Sequence, residues 1–185
     1  MVFARKSAKK KQPLDEPGLY DYAIKALGRH MRSEAELRRL MTSVVAPGAL
    51  GQAVIGAVIA RLKQNHYLDD QSYAETYARL RQENDKLGAR RVRQTLGHRG
   101  IAPKLIDQVI EARYGDANEE TLARQHLERK RIKKPENEKE TARVVRRLVT
   151  AGFSTGVIYK ILRQWDVPDE ELAALDNLEA ETHDE

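Results

Sequence analysis

Cysteine is absent from the chain, which removes disulfides, thiolate nucleophiles and Cys-ligated metals together and makes a reducing cytoplasm the expected setting. Six prolines and an aromatic content of 5% disfavour a sandwich or barrel. The longest apolar stripe, Val54, Ile55, Val58, Ile59 and Leu62, is far too short to span a bilayer and reads as a core helix. Marks of catalysis are missing too. Gly48-Ala49-Leu50-Gly51 lacks the Lys-Ser/Thr of a phosphate loop, and His30, His66, His98, His126 and His183 include no pair one helical turn apart, as a zinc site would need. These absences lead us to expect no enzyme, no cofactor and no metal.

Charge is abundant and unevenly placed. Lys and Arg number 33 against 28 Asp and Glu, but nine of the acids (Asp166, Asp169, Glu170, Glu171, Asp176, Glu179, Glu181, Asp184, Glu185) follow Trp165 with no Lys or Arg among them. Residues 1–165 therefore hold 33 bases against 19 acids, a surplus that should draw the body to a polyanion such as nucleic acid. Arg5, Lys6, Lys9, Lys10 and Lys11 precede no apolar run, so residues 1–18 read as a disordered basic arm and not as a signal peptide.

Between arm and tail the apolar residues recur at helical spacing. Tyr20, Ala23, Ile24 and Leu27 mark a first helix after the Pro13–Gly18 break. Ser33-Glu34-Ala35-Glu36 is a capping box ahead of Leu37, Leu40 and Met41, and Pro47-Gly48 separates this helix from the Val54–Leu62 stripe. Asp69-Asp70 could be imagined as an acid–base or metal pair, but adjacent residues at a helix start diverge, and capping is the preferred role. The following helix carries Tyr73, Ala74, Tyr77 and Leu80; Gly88 precedes Val92 and Leu96, and Pro103 opens another helix after Gly100. The pattern Leu96, Gly100-Ile101-Ala102, Ile106, Val109-Ile110 returns about 52 residues on as Leu148, Gly152-Phe153-Ser154, Ile158, Ile161-Leu162. Ile55, Val58 and Ile59 precede it at nearly the same period, so the fold is expected to be all-α, an elongated array of three tandem three-helix repeats. The boundaries fall at 19–66, 67–115 and 116–165, with the acidic tail at 166–185 and Ser154 as cap of the last repeat helix. The tyrosines and Trp165 mostly fall on apolar stripes and are assigned to packing rather than base stacking.

Binding is expected on outward faces. With Val144, Val145, Leu148 and Ala151 inward, Arg143, Arg146 and Arg147 project from the other side of their helix. Arg90, Arg91 and Arg93 flank the corresponding helix one repeat earlier, and Arg129, Lys130, Lys133 and Lys134 close the helix between. A solvated face would also explain each residue singly, since bases near a helix C-terminus favour its dipole. Recurrence at matching repeat positions, Arg91 with Arg143, points instead to a stripe, fit for a phosphate backbone or for carboxylates on an acidic protein groove.

The order of motifs, from the capping box with Ser33, Glu36 and Leu37 through Tyr67-Leu68-Asp69-Asp70, Tyr73-Ala74 and Gly88-Ala89-Arg90-Arg91 to Leu96 and Gly100-Ile101, resembles the RecX family of bacterial recombination regulators over residues 19–165. That family has a Gly before the Tyr-Leu run where this chain has His66, a departure expected to alter only a helix end. The resemblance implies a modulator that lies in the groove of the RecA filament on DNA and restrains ATP hydrolysis, strand exchange and co-protease activity, and hence recombination and the SOS response to DNA damage. It implies as partners the RecA filament and single- and double-stranded DNA, the latter bound weakly and without sequence preference, with no membrane; a cytoplasmic monomer is expected. The alternative is a helix-turn-helix DNA-binding regulator, since Leu96, Gly100 and Ile106 also fit helix, turn, helix. Its candidate recognition helices expose only Lys104, Asp107, Gln108 and Glu111, or Lys160, Arg163 and Gln164, thin material for reading bases.

Overall fold

The computed structural model describes residues 12–168; the bases of the arm through Lys11 and the tail acids from Asp169 onward lie outside the described residues. Among the described residues there are nine helices and no strand. The chain divides into two compact units, residues 1–70 and 71–185.

In the first unit α1 (Glu16–Arg29), α2 (Glu34–Thr42) and α3 (Ala49–Gln64) close over Leu19, Leu37, Met41, Ile55, Val58 and Leu62, all fully buried. The helix α1 departs from expectation at its start. Asp15 caps it by accepting from the Gly18 amide at 3.0 Å, and Pro17 sits in the first turn, where its missing N–H is no loss. The helix therefore runs through the supposed break, and its fully buried positions are Leu19 and Ala23, while Tyr20, Ile24 and Leu27 are only half-buried.

The capping box at α2 forms as its sequence predicts: Ser33 Oγ accepts from the Glu36 amide and Glu36 Oε2 from the Ser33 amide, both at 3.1 Å. The Glu34 amide of the same turn donates to Asp70 Oδ1 at 2.8 Å. Asp70 thus caps a helix 36 residues upstream of it as well as beginning its own, tying the end of the unit to its second helix. Burial opposes ionisation of Glu34, but hydrogen bonds from Lys63 and Arg38 outweigh it and hold the carboxyl below its ordinary range.

The second unit holds α4 (Asp70–Glu83, which starts at the boundary), α5 (Ala89–His98), α6 (Pro103–Tyr114), α7 (Glu119–Arg129), α8 (Glu138–Ala151) and α9 (Thr155–Gln164). Two cores lie within it. One gathers Tyr73, Ala74, Ala78, Val92, Leu96 and Ile106 from α4–α6, the other Leu122, Leu127, Val145, Leu148, Phe153, Ile158 and Leu162 from α7–α9. Leu87 and Tyr114 pack against both. Two assignments to packing fail: Leu80 is 38% exposed, its place taken by Ala78, and Tyr67 is 59% exposed because it stands in the turn after α3.

Several helix ends share one device. After α8, Gly152 takes φ +91°, its amide donates to Val149, and the Phe153 amide donates to Leu148 at 3.1 Å, which turns Phe153 into the core. Gly100 and Ile101 do the same after α5, as do Asp166 and Val167 after α9; the same pair of amide bonds forms at Arg131 with Ile132 and at His66 with Tyr67, where Ile132 is half-buried and Tyr67 stays exposed. His66 at φ +57° fills the left-handed position where glycine carries no steric cost, so the residue ahead of Tyr67-Leu68 falls on a helix end. The cost of the side chain there is about 1–2 kcal/mol.

Candidate anion-binding groove

The second core fixes the outward side of α8. Because Val144, Val145, Leu148 and Ala151 are buried, Arg143, Arg146, Arg147 and Thr150 must line the opposite face at successive turns. The helix α5 is brought beside them by two glycines. The Gly88 amide donates to the Ala151 carbonyl at 2.9 Å, so the N-terminus of α5 meets the C-terminus of α8, an arrangement favourable to both dipoles. A Cβ on Gly88 would overlap the Gly152 carbonyl group and lie 2.9 Å from the Phe153 nitrogen, and one on Gly152 would overlap the Arg91 amide. Only bare backbone permits this approach.

The result is a groove of about 770 Å³ with walls of Arg91, Lys130, Arg143, Arg146 and Arg147 and a lining completed by Leu87, His126, Ile132, Thr150 and Ala151. Among the described residues no Asp or Glu lines it. Arg91 Nη1 donates to Gln94 at 3.2 Å and Arg146 Nε to the Ala142 carbonyl at 3.3 Å, but among the described residues no carboxylate pairs with any of the five bases. Five cations facing one concavity without counter-charges raise a strong positive potential there.

Five of the ten bases singled out from sequence therefore come together. The others do not line the groove: Arg93 pairs with Asp107, Arg129 with Asp85 at 3.4 Å and Lys134 with Asp166 at 3.1 Å, while Arg90 and Lys133 are exposed elsewhere. Sequence reasoning missed Leu87 and Ile132 as groove residues. Each follows a left-handed residue, Lys86 or Arg131, and a non-glycine residue gives no turn signal there.

His126, 5% exposed, lies edge-on to Phe153 with ring centroids 5.8 Å apart. Its Nδ1 is 3.2 Å from the Asp85 carbonyl, a pairing that requires the proton on Nδ1. Burial pushes its pKa below the ordinary value, the Asp85 carbonyl opposes this, and the charges of Lys130 and Arg129 reinforce it. With the folded pKa depressed, the unfolded chain binds more protons below the ordinary value of 6.5, so the stability tied to neutral His126 is present above that pH and lost as pH falls through the folded value. Urea denaturation of the second unit should show a lower midpoint at pH 5.5 than at pH 7.5, and His126→Gln should shrink that difference. An equal pH response in both chains would remove His126 from the account.

On the far side of α7 the charges are matched. Glu120 accepts from Arg124 at 3.0 Å and Lys160 at 2.7 Å. Glu119 accepts from both the amide and the hydroxyl of Ser154 at 2.7 Å. Ser154 was expected to cap α9 through its side chain; the hydroxyl instead goes to Glu119, because that carboxylate reaches the helix start from α7 and is the stronger acceptor. Among the described residues no helix is long and apolar enough to cross a membrane, and no group of three or more His, Asp or Glu side chains could hold a metal ion.

Comparison with known proteins bears on this geometry. Residues 69–110 match the family described as RecX, second three-helix domain. Regulatory protein RecX of Trichlorobacter lovleyi is 35% identical over 120 residues, covering 64% of this chain and 73% of that protein. Regulatory protein RecX of Oceanobacillus iheyensis is 24% identical over 152 residues, covering 82% of this chain and 54% of that protein. The chain thus spans about half the length of some of the curated relatives it matches. The crystal structure of RecX from Lactobacillus salivarius shares the fold with a TM-score of 0.62 at 22% identity, covering 82% of this chain and 97% of that one. With the helical architecture, the matched middle segment and this relative at 35% identity in hand, the chain belongs to the RecX family of regulatory proteins.

Proposed function

We propose that the chain regulates the RecA recombinase by lying in the groove of the RecA–DNA filament and lowering its ATP hydrolysis, strand exchange and co-protease activity. The observation that carries this reading is the groove between α5 and α8, where five bases face outward without carboxylate partners among the described residues. Such a groove suits phosphates or the carboxylates of a filament protomer, and membership of the RecX family supports RecA as that partner. The repeats are read as residues 19–66, 67–115 and 116–165. Each takes a core from three helices, so weak contacts from successive repeats add on a periodic partner. The protein acts as a cytoplasmic monomer, needs no catalytic step, and touches DNA weakly and without sequence preference. The remaining bases, Arg90, Arg93, Arg129, Lys133 and Lys134, supply the edges of the contact. The helix-turn-helix alternative is weakened at α6, whose outward residues include Asp107 and Glu111; both would face phosphates in a major groove.

The test is single-stranded-DNA-dependent ATP hydrolysis by the cognate RecA while this protein is titrated from far below to above equimolar. Inhibition well below equimolar is expected, where competition for DNA cannot account for it. No effect on hydrolysis alongside tight binding to duplex DNA would overturn the reading in favour of a DNA-binding regulator.

A further inference from the structure

The groove between α5 and α8 has an apolar side as well as a cationic one. Leu87, Ile132 and Ala151 line it together with the five bases. A sugar–phosphate backbone would neutralise the bases and leave those apolar groups uncovered. An acidic segment carrying regularly spaced aliphatic side chains would satisfy both, and one belongs to this chain. Residues 169–185 contain eight Asp and Glu, no Lys or Arg, and Leu172, Leu175 and Leu178 three residues apart.

The chain leaves the described region beside the N-terminal turn of α8. Pro168 lines a recess with Thr141 of α8 and with Lys134 and Asn137, and Asp166 pairs with Lys134 at 3.1 Å. Thr141 lies on the buried face of the helix that carries the groove bases, so the tail has to round α8 before running the rise of about 14 Å from Thr141 to Thr150. Seventeen residues reach about 25 Å if helical and more than 50 Å if extended, so residues 169–185 in a largely extended form are long enough to round α8 and run the length of the groove.

We propose that residues 169–185 of this chain dock in the α5/α8 groove, their carboxylates on Arg91, Lys130, Arg143, Arg146 and Arg147 and their leucines over Leu87 and Ile132. The bound tail occupies the surface that a polyanion would otherwise take, so the groove opens to outside partners only when they outcompete an acceptor held at high local concentration. The inference rests on the groove's chemistry and is independent of RecA.

The absence of cysteine gives a clean test. Thr182→Cys in the full chain creates a single site for a nitroxide spin label. The label is expected to broaden the amide resonances of Ile132, Arg143, Arg147 and Thr150. The broadening should vanish when Asp169, Glu170, Glu171, Asp176 and Glu179 are changed together to Asn or Gln, and also when a dT30 oligonucleotide is added. In the same neutralised chain, dT30 affinity at low salt should rise about tenfold, since competition for the groove has been relieved. Groove resonances unaffected by the label would overturn the proposal, as would broadening that survives neutralisation. Broadening seen only between spin-labelled and isotope-labelled copies would overturn it in favour of docking on a second chain.

Discussion

Gly152→Ala is expected to lower the unfolding free energy of the second unit by about 3 kcal/mol, from two separable costs. The first is conformational: Gly152 has φ +91°, and placing a Cβ in that region costs about 1–2 kcal/mol. The second is steric. The new methyl would overlap the Arg91 amide and lie 2.9 Å from the Arg91 Cα, and backbone cannot swing aside as a long side chain can, so α5 must retreat at about 1–3 kcal/mol. Gly88→Ala isolates the second cost, because Gly88 has φ −71° and the Gly152 carbonyl group and Phe153 nitrogen in its way. Gly97→Ala is the counter-case: it lies in α5 with nothing within 4 Å of its Cβ position, and should stabilise by up to about 1 kcal/mol through helix propensity alone. Urea denaturation of the three variants should therefore give the order Gly97→Ala, wild type, Gly88→Ala, Gly152→Ala from most to least stable. Gly152→Ala as stable as wild type would mean that α5 and α8 do not meet backbone to backbone, and Arg91 would lose its reason for facing Arg143 and Arg147.

That junction also shows where the sequence was readable. Gly100-Ile101 and Gly152-Phe153 announced themselves as a repeat because glycine marks a left-handed helix end and the next residue must be apolar to enter the core. The same geometry at His66, Arg131 and Asp166 left no mark, since a polar residue tolerating positive φ looks like any other loop residue. The start of α1 was misplaced for a related reason: Pro17-Gly18 reads as a break unless the Asp15 cap is weighed, and Leu19 then falls outside the stripe. Helix faces were legible wherever large apolar residues dominated, as in α8. They were not in α1 and α4, where Ala26 and Ala78 are buried because close packing needs small side chains there. For the groove, periodicity supplied Arg143, Arg146 and Arg147, and the 52-residue repeat supplied Arg91. Which bases would be consumed by ion pairs was not legible, because Arg93 meets Asp107 from a neighbouring helix and Arg129 meets Asp85 across 44 residues.

Changing Arg143, Arg146 and Arg147 together to Glu should weaken binding to the RecA–single-stranded-DNA filament by 100-fold or more at near-physiological salt while leaving helicity by circular dichroism unchanged. The fold should survive because all three side chains are exposed and none is held by a carboxylate among the described residues. The loss is large because each change removes an attraction and adds a repulsion in one concavity, so the local charge moves by six. Salt dependence then separates the two candidate partners of the groove. If the three arginines neutralise DNA phosphates, the slope of log affinity against log salt should flatten by about 2, at roughly 0.7 for each single-strand phosphate no longer neutralised. If they pair with carboxylates on RecA protomers, few condensed counterions are released and the slope should change much less while the affinity still collapses. Reversing Arg93 and Lys134 provides the contrast. Both already have carboxylate partners, Asp107 and Asp166, so their field is partly cancelled before any ligand arrives, and their loss should cost no more than about tenfold. Filament binding by the Arg143, Arg146 and Arg147 triple variant within a few-fold of wild type would remove the groove from the contact, and the family's regulatory surface would then have to be sought on another face of the helical repeats.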